Sequence, residues 1–140
     1  MSILTQLMHR HLLKTQGDTS VAEAAKIMRE KNVGALLIEQ DGEPVGIITD
    51  TDIVRKGVAE TKDLSRLPVQ TIMTVPLKSM DITQTVQDAH DMMADLGVRH
   101  LVIREAGKVV GIVSVRDLLL YFKSMSESQE ILSEPNINQD

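Results

Sequence analysis

The chain has no cysteine and no tryptophan, and only one tyrosine and one phenylalanine. Without cysteine there is no disulfide framework and no thiolate chemistry. With Tyr121 and Phe122 as its whole aromatic content, the core must be aliphatic, and eight methionines are available to fill irregular gaps. The same scarcity leaves nothing to stack on bases. A net charge of −5 adds no basic surface for a phosphate backbone, so no nucleic-acid partner is expected. No apolar run approaches the ~20 residues that cross a bilayer, and the N-terminus lacks the shape of a signal peptide. The expectation is a cytoplasmic protein with no membrane partner. A glycine-rich phosphate loop, a nucleophile–base–acid spacing and a metal-ligand cluster are all missing too, so the chain reads as a non-enzyme with no catalytic residue, catalytic cofactor or metal. His9 and His11 flank Arg10. A pair at i, i+2 can face a metal from a strand, but without a third ligand nearby a solvated or capping role is read.

What the sequence does contain, it contains twice. Gly46-Ile47-Ile48-Thr49-Asp50-Thr51-Asp52 returns as Gly111-Ile112-Val113-Ser114-Val115-Arg116-Asp117, 65 residues later. In each copy a branched apolar pair suits the end of a covered strand. The hydroxyl, followed three places later by a carboxylate, suits the start of a helix. Each stretch is thus a strand-to-helix elbow, and a plain capping box accounts for either one taken alone. The same offset also aligns Met8 with Met73, Val21 with Val86, Ala24 with Ala89, Met28 with Met93, Leu36 with Leu101 and Ile38 with Ile103. In all there are 13 identities over residues 7–56 without a gap, which is an internal repeat. At 140 residues the chain can bury about two-thirds of its unfolded surface, whereas half of it would be marginal alone. The two copies are therefore expected to share one core.

Each copy reads as an extended piece, helix, strand, hairpin, strand and helix. Residues 2–8 form an amphipathic lead-in of one or two helical turns. Ser20, with Glu23 three residues on, opens a helix whose Val21, Ala24, Ala25 and Met28 share one face. Strands follow at 35–38 and 44–48 around the turn Asp41-Gly42, and a helix is expected over 50–60. After a polar linker the pattern restarts, with a helix capped by Thr85, strands at 101–103 and 109–113, and a closing helix at 115–125. His90 occupies the position of Ala25 and reads as a half-buried core histidine. The divisions are a first repeat at 7–60, a linker at 61–71, a second repeat at 72–125 and a polar, poorly ordered tail at 126–140.

This organisation resembles the tandem cystathionine-β-synthase (CBS) domain pair. The resemblance is carried by Val21-Ala22-Glu23-Ala24-Ala25, Val33-Gly34-Ala35-Leu36-Leu37-Ile38 and the first elbow. In the second copy it is carried by Ile72-Met73-Thr74, Gly97-Val98-Arg99-His100-Leu101 and the second elbow. One departure is Met8-His9, where a repeat usually opens with Met-Thr. The resemblance implies an α/β (α+β) fold of two pseudo-twofold-related repeats, each strand-helix-strand-strand-helix, with their sheets packed face to face. It also implies two clefts for adenosine-containing ligands: AMP, ADP, ATP or S-adenosylmethionine, acting as regulatory ligands. By family position, Asp52 and Asp117 would read a ribose diol, Thr49 and Ser114 would face phosphate at a helix N-terminus, and Arg116 would add a guanidinium. Arg99 and His100 would point to the central phosphate region, and apolar elbow residues with the pieces around Leu12 and Leu77 would hold adenine. The reading is a stand-alone sensor that transmits ligand state to a regulated enzyme or transporter. The alternative is a ligand-free dimerisation or scaffold module.

Two further expectations follow. The apolar run 118–122 and the Ile53-Val54 face exceed one monomer's core, so a homodimer through the helices at 50–60 and 115–125 is expected. The clefts should also be unequal, because the first elbow carries Asp50 and Thr51 where the second has Val115 and Arg116. Two carboxylates without an arginine hold phosphate poorly.

Overall fold

The computed structural model describes residues 2–133, with side-chain surroundings through Ser128. The elements run α1 (Ile3–Leu7), β1 (Lys14–Gln16), α2 (Val21–Lys31), β2 (Ala35–Gln40), β3 (Glu43–Thr49) and α3 (Asp50–Asp52), which continues into a π-turn (Ile53–Val58). After a 3₁₀ turn (Val69–Thr71) come β4 (Ser79–Asp81), α4 (Val86–Leu96), β5 (His100–Glu105), β6 (Lys108–Ser114) and α5 (Val115–Ser133).

The two copies fold alike. Ser20 caps α2 by accepting from Glu23 N, and Thr85 caps α4 in a full capping box with Asp88. The helices end in left-handed residues, Asn32 and Gly97. Each sheet has three strands with the middle one in the centre of the order: β2 runs parallel to β1 and antiparallel to β3, and β5 likewise to β4 and β6. The hairpin turns Asp41-Gly42 and Ala106-Gly107 put both central residues at positive φ, matching the primed turns that follow strand twist. Even the register slip recurs, after Ile38 in one sheet and after Ile103 in the other. Along β2, Leu36 and Ile38 pack under α2, while Leu37 on the opposite face is also fully buried; Val102 does the same in β5. Alternation leaves those residues to the second sheet, as a face-to-face packing of the two sheets requires.

The core is divided rather than single, and each part is completed by the other repeat. Leu4 and Met8, from ahead of the first repeat's helix, join Met80, Val86, Ala89, Met93, Leu101, Ile103, Val113 and Leu118. Val69 and Ile72, from ahead of the second repeat's helix, join Val21, Ala24, Met28, Leu36, Ile38 and Ile48. The exchange is fixed by backbone pairs. His9 N donates to Ile112 O at 2.8 Å and Ile112 N to His9 O at 3.0 Å, while Ile47 and Thr74 trade the same two bonds at 3.1 and 2.8 Å. Gly46 and Gly111 permit it. A Cβ on Gly46 would stand 2.7 Å from Met73 Sδ and 3.1 Å from Thr74 O, and one on Gly111 would stand 2.7 Å from Met8 Sδ and 3.2 Å from His9 O.

Several expectations change. β1 and β4 begin two residues beyond the pairs around Leu12 and Leu77, because polar edge strands such as Lys14-Thr15-Gln16 carry no apolar alternation. Within the 61–71 linker, Leu64 and Leu67 pack against the first repeat's core, and Leu67 O accepts from Val21 N at 2.8 Å. His90 is exposed, bonded to Gln87 and Asp91 and set edge-on to Phe122, since α4 turns that position to solvent. The closing helix runs on to Ser133 instead of stopping near Met125, so the first part of the expected tail is helical. Residues 134–140 lie outside the described residues. No helix among the described residues is long and apolar enough to cross a membrane.

Candidate functional site

Both elbows fold as capping boxes. Thr49 N donates to Asp52 Oδ2 at 3.1 Å and Asp52 N to Thr49 Oγ1 at 3.1 Å. Ser114 N donates to Asp117 Oδ2 at 2.8 Å, and Asp117 N to Ser114 Oγ at 3.3 Å. Capping is therefore a real duty of both carboxylates. What distinguishes them is what else they hold.

Asp52 is 6% exposed and fully engaged. Lys56, one turn along, sets Nζ 3.0 Å from Asp52 Oδ1 and also donates to Ile72 O at 3.2 Å. Thr74 Oγ1 reaches both Asp52 oxygens, at 3.1 and 3.2 Å. Asp117 has no lysine beside it, since Tyr121 stands at the position equivalent to Lys56. Its second oxygen faces outward, 2.8 Å from His9 Nε2, which crosses over with the exchanged lead-in.

A further asymmetry lies at the starts of β2 and β5. Gly34 and Arg99 are equivalent positions, and their carbonyls take equivalent bonds from Asp50 N and Val115 N, at 3.0 and 2.9 Å. Arg99 reaches across to the first elbow, where it pairs with Asp50 and donates to Thr51 Oγ1 at 2.9 Å. The glycine sends nothing across the second elbow. That side opens into a cleft of about 950 Å³. Leu13, Val33, Ala35, Leu37 and Ile112 give it an apolar lining, and Ser114, Arg116 and Asp117 line it at the head of α5. The exchanged segment supplies Met8, His9, Arg10 and His11.

Of the seven candidate residues, the structure brings five to this cleft: Arg99, His100, Ser114, Arg116 and Asp117. Thr49 and Asp52 lie outside its lining, on the covered elbow. Arg99 borders the cleft, but its guanidinium is spent on Asp50 and Thr51. His100 is half-buried. Desolvation and the Arg99 charge push its imidazole pKa below the usual value, which favours the neutral ring over a cation. Leu13 lines the cleft in place of Leu12. Sequence reasoning missed Arg10, His11 and Gly34 as lining residues. The 65-residue offset held a signal for Gly34, which aligns with Arg99.

A family model of the CBS domain matches the chain twice, at residues 4–59 and 69–124. An uncharacterized 17.7 kDa protein of Acidianus ambivalens is 44% identical over 103 residues, covering 72% of this chain and 61% of that one. The chain thus spans under two-thirds of that relative, and 59% of a Methanopyrus kandleri protein that is 31% identical over 81% of this chain. The crystal structure of a conserved protein from Pyrococcus horikoshii superposes with a TM-score of 0.82 at 32% identity, covering 87% of this chain and 92% of that one. The CBS domain pair of protein MJ0100, solved with 5′-methylthioadenosine and S-adenosyl-L-methionine, superposes at 0.76 with 26% identity, covering 86% of this chain and 99% of that pair.

Proposed function

The chain belongs to the CBS-domain family, whose tandem pairs are regulatory modules, and from that premise we propose that it binds one adenosine-containing ligand in the cleft at Asp117 and passes the ligand state to a partner protein. The observation that carries this reading is the contrast between the two carboxylates. Asp52 is saturated by Lys56 and Thr74, whereas Asp117 turns an oxygen to a cleft of about 950 Å³, at the upper end of the size usual for small-molecule sites.

In that cleft Asp117 would accept the hydroxyls of a ribose diol, as carboxylates do in dinucleotide folds. The head of α5, with the positive end of the helix dipole and Arg116 on its first turn, favours a phosphate or another anionic group. Leu13, Val33, Ala35 and Ile112 offer an apolar bed for a purine. The ligand class is an adenine nucleotide or S-adenosylmethionine. The likeness to the MJ0100 pair supports the adenosyl part. We extend the proposal to a homodimer through the helices at 50–60 and 115–125, because Val54 and Leu119, equivalent in the repeat, are 58% and 63% exposed.

The test is a thermal-shift panel of AMP, ADP, ATP and S-adenosylmethionine on the wild type and on Asp117→Ala. A ligand at a hundred times its Kd stabilises by about 2.7 kcal/mol. A shift with at least one compound, lost in Asp117→Ala, is expected. A folded protein unmoved by all four would leave the scaffold reading in its place.

A further inference from the structure

His9 holds the position that Thr74 holds in the second copy. Both side chains cross to the elbow carboxylate of the other repeat: Thr74 Oγ1 donates to Asp52 at 3.1 Å, and His9 Nε2 lies 2.8 Å from Asp117 Oδ1. A hydroxyl makes such a bond at any pH, but an imidazole changes charge near neutrality. The surroundings differ as well. Thr74 abuts a carboxylate sealed by Lys56, while the His9 ring stands 62% exposed at the mouth of the open cleft. Asp117 Oδ2 already accepts from Ser114 N and Ser114 Oγ, at 2.8 and 2.9 Å. A ribose diol placed on this carboxylate must therefore take the oxygen that His9 holds.

We propose that His9 is a proton-dependent clasp on the cleft: its imidazole holds the outward oxygen of Asp117, and an incoming ligand displaces it. This rests on the reading of the Asp117 cleft as the ligand site. Acid turns the hydrogen bond into an ion pair and tightens the clasp. The Asp117 carboxylate is in direct contact, 2.8 Å from Nε2, and attracts the ring once it is charged. Arg10 and His11 on the same segment, Arg116 on α5, and Arg99 and His100 at the start of β5 act against it or are neutral. Asp50 is offset by Arg99. Displacement is local, because the His9 backbone stays paired with Ile112 and Met8 stays in the second core. What is released is the ring itself.

The experiment has two arms. In ligand-free protein, the imidazole resonances of His9, assigned by their loss in His9→Thr, are compared between the wild type and Asp117→Asn at one pH and then followed as adenosine is added. Both changes are expected to move them, because the ring touches Asp117 and is displaced by the ligand, and resonances left in place by either change overturn the clasp. In the second arm, adenosine binding is measured from about pH 8 to about pH 5.5, a range in which histidine is the side chain that ordinarily titrates. The wild-type Kd is expected to rise about threefold to fivefold with acid, the fold-change of a half-exposed ion pair. In His9→Thr, which copies the repeat's own threonine, that rise should shrink to whatever His11 and His100 leave. Equal pH profiles in two proteins that both bind adenosine overturn the clasp and leave the ligand reading intact. No adenosine binding by either protein at any pH sinks the ligand reading, and the displacement with it.

Discussion

Arg99 of the second repeat pairs with Asp50 of the first, and Gly34 occupies the position equivalent to Arg99 on the other side. One substitution within the repeat therefore changes both clefts in opposite directions. The arginine covers the first elbow and neutralises the carboxylate that would repel a phosphate there. The glycine leaves the second elbow open. Lys56 completes the contrast by giving Asp52 an internal counter-ion.

The two aspartates should accordingly fail in different ways. Asp117→Ala should weaken nucleotide binding at least tenfold, since each hydrogen bond to a charged acceptor carries about 1.5–3 kcal/mol. Asp52→Ala should leave binding in place but cost about 2 kcal/mol of stability or more, because Lys56, Thr74 and Thr49 N lose a buried acceptor. Calorimetry with AMP and ATP, set beside denaturant melts, checks both. Loss of binding in Asp52→Ala alone would reverse the assignment.

The architecture was legible because it is local and written twice: caps at Ser20 and Thr85, helix faces at Val21-Ala24-Met28 and Val86-Ala89-Met93, and turns at Asp41-Gly42 and Ala106-Gly107. The exchange of lead-ins was not. Nothing in Met8 or Met73 says which core it fills, since both suit either one, and only the close approach at Gly111 and Gly46 decides. The site was legible to the same extent. The elbows were identified from hydroxyl-to-carboxylate spacing. The saturation of Asp52 is legible only in part: Lys56 stands four residues on, the spacing of a helical ion pair, but Thr74 crossing over from the other repeat is a tertiary fact. His100 adds a property that spacing cannot carry: burial and the Arg99 charge lower its imidazole pKa in the fold.

If the exchange depends on bare backbone at two glycines, Gly111→Ala and Gly46→Ala should each destabilise by about 1–3 kcal/mol, the usual cost of overpacking. Gly111→Ala should also disturb the cleft, because the Met8-His9 segment it would push carries the His9 ring. Gly42→Ala provides the contrast, since no atom stands within 4 Å of its added Cβ and any cost comes from its φ of +80°. Chemical denaturation ranks the three. A neutral Gly111→Ala would mean that the lead-in is not held by this approach.

Assembly can be probed without touching the cores. Val54 and Leu119 are exposed, so Val54→Asp with Leu119→Asp should change monomer stability little. In a dimer through these helices the same pair would bury charge and separate the subunits. Light scattering at tens of micromolar should report a dimer for the wild type and a monomer for the double variant. A monomeric wild type would end the dimer proposal.

The pH dependence of folding should carry the mark of His100. Its imidazole is depressed in the folded state, first by burial and then by Arg99, with Asp50 and Asp117 partly offsetting. A depressed histidine contributes stability that is complete above its unfolded value of about 6.5 and is lost as pH falls below that toward the folded value. In that window the unfolded chain takes up the proton more readily than the folded one, so stability must rise with pH. His100→Ala installs the residue that the first repeat has at the same position, Ala35. Melts between about pH 5 and about pH 7.5 should show a shallower loss on acidification in the variant than in the wild type. A bound phosphate beside the ring would oppose its depression, so a nucleotide should also flatten the wild-type curve. Parallel pH profiles for the two proteins would show that His100 is protonated as easily folded as unfolded, and that the Arg99 charge does not reach it.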